Sequence, residues 1–241
     1  LIGAGGSKFF SPIYMYFIGL TPIVAIVVAL FTQSFGFASG SFSYYKQGKI
    51  DFVLSKKYLS IAIPLSVFGS IISHYFSMEL IETIFGIVLI LNSFLILYYN
   101  SILNFFSKKE KWNNRVEYIV LILGSLFLGF ISVGLGELII PTLLLKYKYP
   151  TQKAVGTSVF IVFVSTFVSV IAHIIVMQIM GMPFFVSENI AVFIWMIPGA
   201  ITGAQFGARI SAKVSTKKLK LILTVAFILL GSLILFRKWI F

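Results

Sequence analysis

Six stretches of this chain stay apolar for about twenty residues or more, and that restricts its fold more than any other feature: Pro22–Tyr45, Tyr58–Phe76, Leu80–Leu103, Thr151–Met180, Ile190–Ile210 and Leu219–Ile240. A helix rises about 1.5 Å per residue, so about twenty apolar residues cover the roughly 30 Å hydrocarbon core of a bilayer. Each stretch is long enough to cross as a helix. With 59% of its residues hydrophobic and 11% charged, the chain lies outside the soluble range. The expected class is an all-α polytopic, multi-pass membrane protein.

A seventh region, Tyr118–Tyr147, does not fit as a plain span. Its first part, Tyr118–Val133, is marginal in length, and its second, Leu138–Tyr147, is too short. Between them, Ser132 to Pro141 reads Ser-Val-Gly-Leu-Gly-Glu-Leu-Ile-Ile-Pro, placing two helix-weakening glycines, Gly134 and Gly136, beside a carboxylate, Glu137. A charge at the bilayer centre costs about 2.5–3.5 kcal/mol on insertion scales, so an ionisable residue at that depth points to function.

The placement of basic residues decides how this region runs. If it crossed once, the loops would hold eight bases on one face and ten on the other, which is no bias. If it enters and returns to its own side as a broken hairpin, sixteen fall on one face and only Arg237 and Lys238 on the other. Cytoplasmic loops of membrane proteins carry the excess of lysine and arginine, and only the hairpin meets that rule. The basic loops 46–57, 104–117, 146–153 and 209–220 are then expected on the cytoplasmic side of a plasma membrane. The same rule accounts for a net charge of +12, so nucleic acid is not expected as a partner; the bilayer is. Cysteine is absent, and the two histidines and seven acids show no ligand spacing, so neither a metal nor another cofactor is expected.

A hairpin at this point gives the two halves of the chain opposite orientation. The expected units are 1–104, a basic linker at 105–117 whose charges solvate the loop and face anionic lipid, and 118–241. Each unit is a re-entrant broken-helix hairpin plus three transmembrane helices. The chain starts at Leu1, inside a motif, so a segment upstream is expected. At a constant offset of 129 residues Gly5 meets Gly134, Pro12 meets Pro141, Ala25 meets Ala154, and Lys8 falls opposite Glu137. At an offset of 134, Pro64 and Gly69 meet Pro198 and Gly203. Inverted-topology repeats with discontinuous helices are the architecture of secondary transporters, whose sites lie near the midplane.

Short helices beginning after Ser7 and after Gly136 would aim their N-termini at each other from opposite faces. Unpaired N–H groups and about half a positive charge at each end make such a meeting point a site for an anion. The expected binding residues are Gly5, Gly6, Ser7, Lys8, Gly134, Gly136 and Glu137, with Glu137 as counter-ion of Lys8 or as proton carrier. Thr32, Gln33, Ser34, Thr157, Ser158, Ser165 and Thr166 on the following spans are available to complete it; Gln205 and Ser66 are weaker candidates. His173, deep in its span, is either a helix-to-helix hydrogen bonder or a second proton-coupling group. Two rival readings are an anion channel and a rhomboid-like intramembrane serine hydrolase built on Ser39 with His74 or His173. No oligomeric state is selected, and a homodimer stays open.

Gly3-x-Gly-Gly-Ser followed by Pro12, Ser132-x-Gly-Leu-Gly followed by Pro141, and Lys153-Ala-Val-Gly-Thr-Ser158 resemble the paired signatures of the TauE/SafE-type sulfite exporter family. The stretch Pro198-Gly-Ala-Ile-Thr-Gly-Ala-Gln-Phe-Gly-Ala-Arg209 is similar to that family's helix end. The first copy departs from the pattern at Ser7-Lys8, where a glycine and an apolar residue are usual, and the second in beginning at Ser132. The resemblance implies a transporter, not an enzyme, that moves a small anionic sulfur-containing substrate such as sulfite or an organosulfonate outward with proton coupling. It also raises Thr157 and Ser158 among the binding residues.

Overall fold

The computed structural model describes residues 7–98, 101, 113–182, 184, 192–203 and 216–240. Among these the chain forms nine helices and no strand. In chain order they are α1 (Ser7–Tyr16), α2 (Pro22–Lys46), α3 (Phe52–Ser73), α4 (Met78–Leu97), α5 (Asn114–Ile131), α6 (Leu135–Leu145), α7 (Thr151–Ile179), α8 (Val192–Gly203) and α9 (Thr216–Ile240). Five of them, α2, α3, α4, α5 and α7, are long and apolar enough to cross a membrane.

Helix starts follow local chemistry. Asp51, Ser77 and Asn113 cap α3, α4 and α5, their side chains accepting from the amides of Leu54, Leu80 and Val116. Pro22 opens α2 at a position where its missing N–H costs nothing. At the centre of the bundle α2 buries Ala25 through Leu30 completely. It packs on α7, and α7 in turn packs on α3. The other principal contacts join α3 to α5, α4 to α9, α1 to α2, and α6 to both α5 and α7. Outward faces carry residues such as Phe68, Leu91, Phe94 and Ile175, each about half exposed, as lipid-facing helices require.

The closest approach in the bundle is between α3 and α5. A Cβ on Gly129 would stand 1.9 Å from the Ser66 carbonyl oxygen, and one on Gly69 would stand 2.4 Å from the Leu126 carbonyl oxygen. Small residues of this kind let membrane helices pack backbone to backbone, where dispersion replaces the hydrophobic drive that lipid does not supply.

The region Tyr118–Tyr147 is a hairpin, with unequal arms. Helix α5 ends at Ser132, whose φ of 64° turns its amide and that of Val133 back onto the carbonyls of Leu128 and Phe127. Gly134 continues the reversal at φ 116°, a conformation that side chains oppose. Helix α6 then starts beside Gly124, where a Cβ would meet the Leu135 Cα at 3.0 Å. It runs back until Lys146 donates to Asn114 and Glu117, at the start of α5. The return to one side is thus closed by side chains.

One expectation needs correcting here. The first arm is a full-length span of 18 residues, because the polar turn at Asn114 joins the helix. The end of the linker is therefore helical, and Glu117, just past the charged run expected to face solvent and lipid, is buried at 1% exposure. Residues 102–112 of the linker lie outside the described residues.

The α2–α3 turn, the α6–α7 turn and the start of α5 gather at one end of the bundle. Asp51 receives Tyr149 and Lys153 there, and Glu117 receives Tyr58, Tyr147 and Lys146. Loops 46–57 and 146–153 meet there with residues 113–117 of the third basic loop; the rest of that loop and most of the fourth, 209–220, lie outside the described residues.

Candidate functional site

The described start of α1 and the N-terminus of α6 meet inside the bundle. Lys8 is the second residue of α1 and Glu137 the third of α6, and their side chains form an ion pair of 2.8 Å. Lys8 is 1% exposed and Glu137 10%. Both short helices carry an internal proline, Pro12 and Pro141, and both pack on the long helix that follows them.

The electrostatics of the pair are uneven. An acid in the first turn of α6 faces the positive end of its own dipole and is stabilised there. Lys8, at the described start of α1, brings a full positive charge to the same point. Its ammonium carries three donors, and among the described residues it meets the Glu137 carboxylate and, 5.2 Å away, the face of Phe227. Positive charge and donors are in excess at this point, and a second anion is what would balance them.

The pair borders a cavity of about 10 Å³, lined also by Gln33, Leu128, Gly134, Gly136 and Val162. A volume of roughly 10–15 Å³ holds about one water molecule, so the arrangement is closed to anything larger. Gln33 reaches from α2 to donate to the Ser132 carbonyl at 3.5 Å, tying the centre of the bundle to the hairpin turn. Ser158 donates to the Gly136 carbonyl at 3.3 Å.

The other candidates separate into groups. Thr157 is turned to the α2–α3 loop, where its hydroxyl accepts the Asp51 amide at 3.0 Å. Thr32 bonds Tyr14, while Ser34 and Ser66 bond carbonyls of their own helices. Ser165 and Thr166 are fully buried on α7. Gly5, Gly6, the Ser7 side chain and Gln205 lie outside the described residues.

The histidines hold each other. His74 at the end of α3 and His173 in α7 stand Nε2 to Nδ1 at 2.9 Å, and His173 Nε2 donates to the Gly129 carbonyl at 2.8 Å. His173 is therefore a helix-to-helix hydrogen bonder, one of the two roles expected of it. Neither ring bonds Ser39, so the dyad of a serine hydrolase is not assembled.

Two acid clusters escape the sequence reading. Glu117 accepts from Tyr58 at 2.9 Å, from Tyr147 at 2.7 Å and from Lys146, with Lys57 at 3.6 Å. Asp51 is held below the ordinary carboxylate range by the Leu54 amide first and by the Tyr149 hydroxyl next. Burial and that carboxylate together push Tyr149 up to about 12. The available signal was an acid placed at a helix start opposite a Lys-Tyr-Lys-Tyr loop, Lys146 to Tyr149.

The family profile described as Sulfite exporter TauE/SafE matches residues 1–234. A relative from Bacillus subtilis (strain 168), "Probable membrane transporter protein YunE", is 26% identical over 264 residues, covering 98% of this chain and 92% of its own length. No solved structure matches the chain.

Proposed function

The chain belongs to the sulfite exporter TauE/SafE family of membrane transporters, and from that premise we propose that it carries a small sulfur-containing anion, such as sulfite or an organosulfonate, outward across the plasma membrane. The observation that carries the reading is the meeting of two half-helix N-termini at Lys8 and Glu137, where donors and positive charge exceed the acceptors present. A tetrahedral or pyramidal oxyanion is suited to such a place, because helix N-termini supply N–H groups and Lys8 supplies the full charge. Gly134, Gly136 and Ser158 would lie at its edge, together with Gly5, Gly6 and Ser7; Thr157 would act through the loop it holds.

Transport follows by alternating access between two inverted repeats. In support, α1 and α6 are matched short helices with a proline inside and a charged residue in the first turn. Helices in matching places touch across the halves, α2 with α7 and α4 with α9, as a two-fold axis between them would require. The cavity of about 10 Å³ is then an occluded form that opens to either face in turn. Protons are the coupling ion in this reading, with Glu137 and His173 as carriers, and the face of Asp51 and Glu117 is cytoplasmic.

The test is sulfite flux in proteoliposomes. Lys8→Ala and Glu137→Gln are each expected to lower flux at least a hundredfold while the purified variants keep the wild-type helical spectrum and gel-filtration profile. Near-normal flux in both would remove the proposed site.

A further inference from the structure

The two histidines belong to a longer polar feature. His173 Nε2 faces a carbonyl, which can only accept, so in the neutral ring the proton is on Nε2 and Nδ1 is the acceptor. His74 must then donate from its own Nε2. Its Nδ1 is left bare, buried and without a partner. This end of α3 is the surface end: the next residue, Tyr75, is 73% exposed. The bare nitrogen is thus one residue from an exposed side chain, on the end of the bundle opposite to Asp51.

On α7 the same helical face continues inward. Ser169 is one turn before His173, Ser165 one turn before that, with Thr166 beside it, and Val162 at the next turn lines the cavity next to Lys8 and Glu137. Ser165, Thr166 and Ser169 are each 0% exposed, and among the described residues the hydroxyl of each lacks a hydrogen-bond partner. Three neighbouring buried hydroxyls without partners are the setting in which proteins hold internal water.

We propose that His74, His173 and the Ser169–Ser165 stripe form a proton path from the α3–α4 end of the bundle to the Lys8–Glu137 tips. A proton taken up at His74 Nδ1 lets the Nε2 proton pass to His173 Nδ1. The imidazolium formed there releases its Nε2 proton from the Gly129 carbonyl to water held along the stripe. No other bond forms or breaks in the transfer, and each ring regains its starting tautomer by taking a proton on Nε2 from water and giving up the one on Nδ1 to water. The groups around the pair leave this proton no competitor: α5 presents Gly129 and Phe130, and the titratable group facing each ring is the other histidine. The path deepens the proposed proton coupling and rests on it for its purpose.

Two measurements test it, one independent of any substrate. The chain has no cysteine. Ser165→Cys and Ser169→Cys are therefore unique thiols, to be exposed to silver ion in nanodiscs and then counted with a maleimide after denaturation. At least tenfold faster blocking than at Val170→Cys, a buried apolar neighbour, is expected; equal rates would overturn the hydrated stripe. The second uses sulfite-driven acidification of a dye inside proteoliposomes. His74→Gln keeps a donor toward His173 but has no site for a proton, and it is expected to slow proton movement at least tenfold with sulfite affinity within twofold of wild type. Wild-type behaviour in His74→Gln overturns the path. Sulfite flux without proton movement in the unmutated protein overturns both path and coupling while leaving the anion site. Absence of sulfite flux rejects sulfite as cargo, and the silver measurement then decides the path by itself.

Discussion

This bundle buries two carboxylates against lysine, and it treats them in opposite ways. Glu117, 1% exposed, has its oxygens occupied by two tyrosines and a lysine, with a second lysine close by. Glu137 has one lysine, and that lysine has donors to spare. A buried ion pair is stabilising only where further hydrogen bonds satisfy what the pair leaves over, and Glu117 meets that condition. It locks the start of α5, the end of α6 and α3 into one joint. The central pair leaves its surplus unmet, and a surplus of donors at the meeting of two helix ends is a binding property. On the proposed function, the same residue types serve closure at one end and recognition in the middle, and the number of partners distinguishes them.

The contrast can be broken most decisively at Glu117. Glu117→Ala strands Lys146 and two tyrosine hydroxyls, and loss of one partner of a buried pair costs about 3–5 kcal/mol. The expected result is a fall of that size in unfolding free energy in mixed micelles, with sulfite affinity of the folded fraction unchanged. A large loss of affinity without loss of stability would reverse the assignment of the two sites. Lys8→Met should do the opposite, lowering sulfite binding about a hundredfold, equivalent to about 2.7 kcal/mol, with a smaller fall in unfolding free energy than Glu117→Ala because Glu137 keeps the positive end of α6 beside it. Titration calorimetry beside the same unfolding curves separates them.

Gly134→Ala tests what places the centre. A side chain at φ 116° is strained, and such strain costs about 1–3 kcal/mol. Both stability and affinity should fall, because the start of α6 moves. The smallest effect belongs to Asp51, which resembles Glu117 in closing loops but lies nearer to solvent. Asp51→Ala removes the cap of α3 and should cost about 1 kcal/mol. Because the folded value of Asp51 is lowered, its contribution is complete above the ordinary aspartate value of about 4 and is lost as pH falls from there through the folded value. In Asp51→Ala that part of the acid dependence of thermal stability should vanish.

How much of this was legible in the sequence follows from the range over which each contact acts. The spans could be read because about twenty apolar residues in a row are a local signal: the ends of α2, α7 and α9 agree with them within about three residues, those expected at Leu103 and Ile210 lie outside the described residues, and α3 and α5 start earlier than expected. In those two, a polar first turn extends the helix: Phe52 to Lys57 in α3, which Asp51 caps, and Asn114 to Glu117 in α5. The pairing of Lys8 with Glu137 was legible because each is a charge stranded among apolar residues, in register with the other. The Glu117 joint was not, since its partners come from α3 and from the α6–α7 turn and meet only when the hairpin has closed. Nothing in the spacing of His74 and His173, on helices far apart in the chain, announces that they touch. Thr157, expected among the binding residues, has its hydroxyl taken by a loop amide from 106 positions away.

The half length of α6 also has an electrical consequence. Eleven residues reach about 16 Å inward from Lys146, roughly half the hydrocarbon thickness. An elementary charge crossing a whole membrane at 100 mV exchanges about 2.3 kcal/mol with the potential, so a monovalent anion seated at the tips has exchanged about half of that. Voltage would therefore act on arrival and on departure in nearly equal parts. A membrane potential that is negative inside would help an anion leave the cell at both stages.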